Sequence, residues 1–219
     1  MSAIKLITIQ NQTFQLLPEK ALFWNEEKML ILSDLHLGKS GHFRKSGIPA
    51  PAQINSKTLG RLTILLEQYT PETVLILGDL FHSDANREWF EFEDWLLRNR
   101  AFEFILVTGN HDSLHPSFYH SANLAVYAEL SIGPFLFVHD TNKINHTDYN
   151  ITLVGGHIHP AVKLKGKGRQ SLRFPAFIIS ENRILLPAFG EFTGLFTITP
   201  NETEQAYAVV DVNIIPINS

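Results

Sequence analysis

Five stretches of this 219-residue sequence set a carboxylate, an amide or an imidazole directly behind a run of strand formers. "ILSDLHLG" carries Asp34 and His36, and "TVLILGD" ends on Asp79. "FILVTGNHD" ends on Asn110, His111 and Asp112, "FLFVHD" on His139 and Asp140, and "ITLVGGHIH" on His157 and His159. In a strand, residues two apart project to one face, so Asp34 and His36 are expected to point together into one small volume at the strand's end. A single Asp-x-His triplet is expected by chance roughly 0.4 times in a chain of this composition, so one motif says little. Five of them at strand ends, where α/β proteins gather ligands, point to a metal centre.

The donor set narrows the ion. Cysteine is absent, which removes thiolate ligands, and the seven candidate donors exceed the four of a tetrahedral structural zinc. Two adjacent divalent cations sharing one carboxylate fit the number better. Imidazole, carboxylate and amide donors suit manganese, iron or zinc and do not choose among the three; manganese is the working expectation. The bland alternative for Asp79 and Asn110 is turn chemistry after glycine. For Asp34 and His36 it is a turn or cap aspartate beside a surface histidine.

These residues need a scaffold, and its elements are visible. Residues 3 to 33 read as short strands, "IKLITI", "TFQLL", "ALFW" and "KMLILS", separated by turn residues. Residues 52 to 69 read as a helix, with Leu59, Leu62, Leu66 and Tyr69 three and four apart and Pro49 and Pro51 upstream. A second helix is predicted over about 84 to 100, capped by Ser83 or Asp84, with Trp89, Phe92 and Leu96 on one face. After residue 120 come "PFLFV", "ITLV", "AFIIS", "RILL" and "LFTIT". Strands alternating with helices, then strands, predict an α/β sandwich.

Length and a 44% hydrophobic content favour one domain over residues 1–219. A net charge of −4 and a pI near 6.2 argue against gripping nucleic acid by bulk positive charge, although two divalent ions would add +4 at one place. The N-terminus lacks a cationic stretch followed by an apolar core, and no run approaches the roughly 18 apolar residues that span a bilayer. A soluble cytoplasmic protein without membrane attachment is the expectation, which the lack of cysteine suits.

"DLH", "GDLFH", "GNHD", "VHD" and "GGHIH", in this order over about residues 28 to 160, resemble the five-block signature of calcineurin-like metallophosphoesterases. The resemblance implies a four-layer α-β-β-α sandwich, two mixed β-sheets flanked by helices, with metals at the sheet ends. It implies one metal on Asp34, His36, Asp79 and His159 and another on Asp79, Asn110, His139 and His157, Asp79 bridging. Asp140 stands where the family often has glycine. "ALFW", "SDLHLGKSGHFRKSGIPAP", "GDLFHS" and "LPAFGEFTG" further resemble the small bacterial metallophosphoesterases associated with ATP-dependent DNA ligases, the PdeM type. That likeness implies a DNA-repair nuclease acting beside a ligase and other repair proteins.

The chemistry follows from two ions. They would bind phosphate oxygens and lower the pKa of a bound water toward about 7, so that a metal-bound hydroxide is expected to attack phosphorus in line with the leaving oxygen. The leaving alkoxide needs a proton, and His111 is the expected general acid, with Asp112 orienting or charging its ring. Arg44 is a candidate contact to flanking phosphates, as are Lys39 and Lys45 behind the first motif. His82, three residues past Asp79, is a candidate substrate contact or a loop histidine. Lys163, Lys165, Lys167, Arg169 and Arg173 form a stretch without acids after the last motif, either a phosphate-tracking loop or a solubilising hairpin tip. The leading expectation is a dinuclear phosphodiesterase acting on DNA or a nucleotide-like diester. The alternatives are a small-molecule phosphoesterase, for a cyclic nucleotide, dinucleoside polyphosphate or monoester, and a silent binding scaffold of the same fold. A deep closed pocket would favour the small molecule and an open basic groove the polynucleotide.

Overall fold

Lys5–Ile9 (β1), Gln12–Leu17 (β2), Ala21–Trp24 (β3) and Met29–Ser33 (β4) form an antiparallel meander. Thr73–Leu77 (β5), Glu103–Val107 (β6) and Ala125–Tyr127 (β7) extend the same sheet in parallel. The computed structural model describes residues 4–39, 54–81, 86–144, 150–166, 170–191 and 193–217. Parallel neighbours need crossovers, and Ile54–Tyr69 (α1), Arg87–Arg98 (α2) and Pro116–Ser121 (α3) lie in the three connections. The α1 helix ends at Tyr69 as predicted, and residues 52 and 53 of the predicted range lie outside the described residues. The α2 helix starts later than expected: its cap is Asn86, whose Oδ1 accepts from the Glu88 N–H at 2.8 Å, and Ser83 and Asp84 lie outside the described residues.

The second sheet holds Leu130–Ile132 (β8), Phe135–Phe137 (β9), Thr152–Gly155 (β10), Pro160–Lys165 (β11), Ser171–Ser180 (β12), Arg183–Leu185 (β13), Phe196–Thr197 (β14), Gln205–Val210 (β15) and Asn213–Ile217 (β16). Its order is β14-β11-β12-β13-β10-β9-β8, with β15 on β12 and β16 on β15. The ten-residue β12 serves two neighbourhoods. Its first half pairs with β11 and its second half with β13 and β15.

Side-chain alternation decides the layers. Leu30 and Leu32 of β4, Val74 and Ile76 of β5, and Phe104 and Leu106 of β6 face the helices, where they meet Leu62, Leu66, Trp89, Phe92, Trp95 and Tyr119. The intervening Ile31, Leu75, Leu77, Ile105 and Val107 face the second sheet and pack with Phe135, Phe137, Val154, Phe177 and Tyr207. Trp24 spans this inter-sheet core, its ring 4.9 Å from that of Phe135 and 5.4 Å from that of Phe14. The far face of the second sheet buries Ala176, Ala206, Ala208 and Ile178 under Ile158, Ile198 and Ile217. Among the described residues, a single 3-10 turn, Thr141–Lys143, lies against β10 on that side. Two mixed sheets are therefore present, packed face to face, with the described α-helices on the outer face of the first. Among the described residues, no helix is long and apolar enough to cross a membrane.

One extended segment returns from β13 to the end of β4. The Phe189 N–H donates to the Ser33 carbonyl at 2.8 Å and the Gly190 N–H to the Asp34 carbonyl at 3.0 Å. Arg61 braces it, stacking over the Phe189 ring and donating to the Phe189 carbonyl and the Glu191 carboxylate. Lys20 donates to the Gly190 carbonyl at 3.1 Å; burial, and then the neighbouring Arg61 charge, push its ammonium down to about 7 from 10.5. Between those values the unfolded chain holds a proton that the folded chain lacks, so stability from this group rises with pH. Urea unfolding of wild type and Lys20→Met at about pH 6.5 and about 9.5 checks this: the wild type should gain on the variant as pH rises. A pH-independent difference would contradict the desolvation of Lys20.

Candidate metal centre

The first-sheet strands β4, β5 and β6 stop at Ser33, Leu77 and Val107, and β9 and β10 of the second sheet stop at Phe137 and Gly155. All the motif residues follow these ends. Pairing continues briefly past them, with the N–H groups of Asp34, His36 and Leu37 donating to the carbonyls of Gly78, Asp79 and Leu80. The pleat does not continue. Asp34, His36, Asp79, His157 and His159 have φ of 53, 48, 49, 69 and 51°, all left-handed. Asp34 and His36 do converge, but two left-handed residues aim them, and the strand alternation expected from the sequence plays no part. Such backbone costs on the order of 1–3 kcal/mol per residue and persists where the surroundings over-determine it.

Two groups result, Asp34 with His36 and His159, and Asp79 with His139 and His157; within each group the potential ligand atoms lie within 4.8 Å of one another. Bonds of about 2.0–2.2 Å to one ion put its ligand atoms about 3.0–3.5 Å apart. In the first group, His36 Nε2 is 3.2 Å from His159 Nε2, which is 3.4 Å from Asp34 Oδ1. In the second, His139 Nε2 is 2.9 Å from His157 Nδ1 and 3.4 Å from Asp79 Oδ1. The other oxygen of Asp79, Oδ2, is 3.7 Å from His36 Nε2. One carboxylate thus turns an oxygen to each group.

The surroundings prepare these donors. His139 Nδ1 lies 3.0 Å from the Leu77 carbonyl, which fixes the N–H there and leaves Nε2 its lone pair. Asp34 is fully buried; its Oδ2 accepts from the His157 N–H at 2.9 Å, while Oδ1 has no hydrogen-bond donor. A buried carboxylate oxygen without a donor, facing imidazole nitrogens, fits a bound cation. Bare glycines allow the approach. A Cβ on Gly156 would strike the Asp34 carboxylate, and one on Gly78, at φ 72°, would strike the His139 ring.

Asn110 lies beside the second group, its Nδ2 3.3 Å from His157 Nδ1 and its Oδ1 accepting from Lys143 Nζ at 2.8 Å. Asp140 Oδ2 is 3.7 Å from His157 Nε2, on the side of the ring away from His139. The His111 N–H donates to Asp79 Oδ1 at 3.0 Å, and its half-exposed ring has Nε2 4.0 Å from Asp79 Oδ2. Both oxygens of Asp112, expected from the sequence to serve the His111 ring, accept from backbone donors. Its Oδ1 accepts from the N–H groups of Leu80 and Phe81, and its Oδ2 from that of Gly109. It joins the Asp79 loop to the Asn110 loop, a role that sequence adjacency to His111 concealed. Burial pushes its carboxyl up, with the backbone donors opposing.

Lys39 sits near Asp34 and Asp79, whose charges partly offset the lowering of its ammonium by burial. Arg44, Lys45 and His82 lie outside the described residues, as do Lys167 and Arg169. Lys143, Lys20 and Arg61 carry no motif and were not foreseen; they reach the site edge only through the fold.

Paired sheets that deliver acid and imidazole groups to one edge, with a carboxylate between two clusters, are the arrangement of a metal-dependent phosphoesterase. The chain belongs to the calcineurin-like phosphoesterase family, whose sequence model matches residues 27–186. It is similar to the nuclease MPE of Pseudomonas putida, at 32% identity over 98% of this chain and 100% of that chain, with a TM-score of 0.82. YfcE, a phosphoesterase from E. coli, is 15% identical over 86% of this chain and 97% of its own, at a TM-score of 0.47. A protein of unknown function from Aquifex aeolicus, AQ665, is 18% identical over 64% and 82%, at 0.44. Comparison with curated protein sequences gave no match.

The strut role of Asp112 is open to direct measurement. Asp112→Ala leaves three backbone N–H groups without their acceptor and should cost about 2–4 kcal/mol in denaturant unfolding, whereas His111→Ala should cost less than about 1. Equal small losses would remove Asp112 from that role.

Proposed function

We propose that this phosphoesterase is a phosphodiesterase and nuclease acting on DNA through two divalent ions, manganese being the first choice. Asp34, His36, Asp79 and His159 hold one ion, and Asp79, Asn110, His139 and His157 the other. The observation that carries the reading is Asp79, with one oxygen toward each imidazole group. When bound, the ions supply positive charge for the phosphate oxygens and acidify water to a nucleophile.

The chain's own residues do the rest. The N–H of His111 fixes Asp79 Oδ1, and the Leu77 carbonyl fixes the tautomer of His139. The His111 ring stands at the mouth, half-exposed, where it can give a proton to the leaving alkoxide. Asn110, whose amide oxygen accepts from Lys143, would be a ligand of the second ion, and the Lys143 ammonium beside it would be placed to meet a phosphate oxygen. The similarity to a nuclease over the whole chain and the ligase-associated motifs support DNA as substrate and a cytoplasmic repair setting. The whole chain acts as one metallophosphoesterase domain.

The test strips the metal, restores manganese, and compares a nitrophenyl phosphodiester with the matching monoester, using Asp79→Ala as blank. Diester hydrolysis that vanishes in the variant, together with both ions, is expected. Hydrolysis of the monoester alone would make the protein a small-molecule phosphatase, and silence on both a binding scaffold. His111→Ala should keep its metal and lose roughly 100-fold to 10,000-fold on a diester with a poor leaving group, and less with an acidic phenol. Loss of metal in that variant would assign His111 to the ligands.

A further inference from the structure

We propose that the exposed face of β11 and β12 is a phosphate-tracking surface, which holds the backbone of a polynucleotide on one side of the metal centre. The proposal rests on the phosphodiesterase reading above and adds a binding surface to it. Strand β11 leaves directly from His159, and the Phe196 N–H of β14 donates to the His159 carbonyl at 3.0 Å. Any backbone crossing the metals in this direction meets the hairpin next.

Its register places Lys163 directly opposite Arg173, and Lys165, two residues on, projects from the same face. All three are exposed. Like charges directly opposite one another destabilise a ladder, so stability does not explain the pair. Among the described residues no carboxylate pairs with Lys163, Lys165 or Arg173. Arg173 makes one contact, from Nη1 to the Leu195 carbonyl at 3.3 Å. An open groove of about 570 Å³ runs beside them, lined by Lys163, Ser171, Leu172, Arg173, Leu195 and Thr197. In a chain of net charge −4, this is cation gathered at one place. Phosphate oxygens are its complement.

The strand also sets a length. At about 3.3 Å per residue, Lys163 lies about 13 Å and Lys165 about 20 Å along the strand from His159. At the rise of about 3.4 Å per nucleotide of a stacked helical strand, these are at most about four and six nucleotides from the scissile phosphate, and fewer for an extended strand.

The experiment measures binding of a cleavage-resistant phosphorothioate oligonucleotide of about twenty nucleotides to the manganese-loaded full chain, by fluorescence anisotropy, across a salt series. Wild type, Lys163→Glu/Arg173→Glu and Lys163→Gln/Arg173→Gln are compared, the neutral pair guarding against misfolding of the reversed one. The slope of log K against log salt should be shallower by about 1.5–2 in the neutral variant, with at least tenfold weaker binding at low salt. A dinucleotide, whose single phosphate is the one held at the metals, should bind all three proteins alike. Equal slopes for the long oligonucleotide, or equal losses for the dinucleotide, would overturn the proposal. Absence of nitrophenyl diester hydrolysis with the slope difference intact would overturn the catalytic reading alone.

Discussion

Two carboxylates with almost no solvent set the terms for everything around them. Asp34 is 0% and Asp79 3% exposed, and a buried carboxylate needs strong compensation. Backbone N–H groups supply part of it, one from His157 to Asp34 and one from His111 to Asp79. Imidazole nitrogens face the remaining oxygens. Bound cations would complete the balance. To keep these oxygens apart from water, five residues accept left-handed backbone. Asp112 ties the loops that carry Asp79 and Asn110, and the Arg61-braced segment closes over Asp34.

Much of this was legible because both faces of the central strands are buried. "MLILS" and "TVLIL" are apolar but for the terminal Ser33 and Thr73, and such runs point to interior strands or buried helix. Their ends announced the metal residues, since a carboxylate or imidazole there contrasts with everything before it. What alternation could not supply was direction. The left-handed turns at Asp34 and His36 come from contacts with Gly78, Asp79 and Gly190, distant in sequence. The strands β7 and β8 were missed because each is three residues long and half-exposed, leaving no apolar run. The α2 cap fell on Asn86 because Ser83, Asp84 and Asn86 are all good caps and propensity does not rank them. Asp112 was read toward its neighbour His111, whereas two of its three partners lie about thirty residues away. Local spacing finds which residues carry chemistry and is blind to which of them hold loops together.

The seam between the sheets links stability to function. The first group takes Asp34 and His36 from first-sheet loops and His159 from the second; the other takes Asp79 from the first and His139 and His157 from the second. Neither group exists within one sheet. A cation in either site therefore clamps the two sheets, and its binding free energy adds to folding, about 2.7 kcal/mol at a hundred times the dissociation constant. The reverse also holds, because the inter-sheet core sets the distance between the two groups. Trp24, Phe135 and Phe137 fill that core at the side of the meander, with Trp24 held by a hydrogen bond from Nε1 to Gln12 at 3.0 Å. Packed aromatic rings at this density yield little to sliding. The spacing of the two ligand groups is thus inherited from hydrophobic packing remote from either, which is why a site made of charged residues depends on an apolar seam.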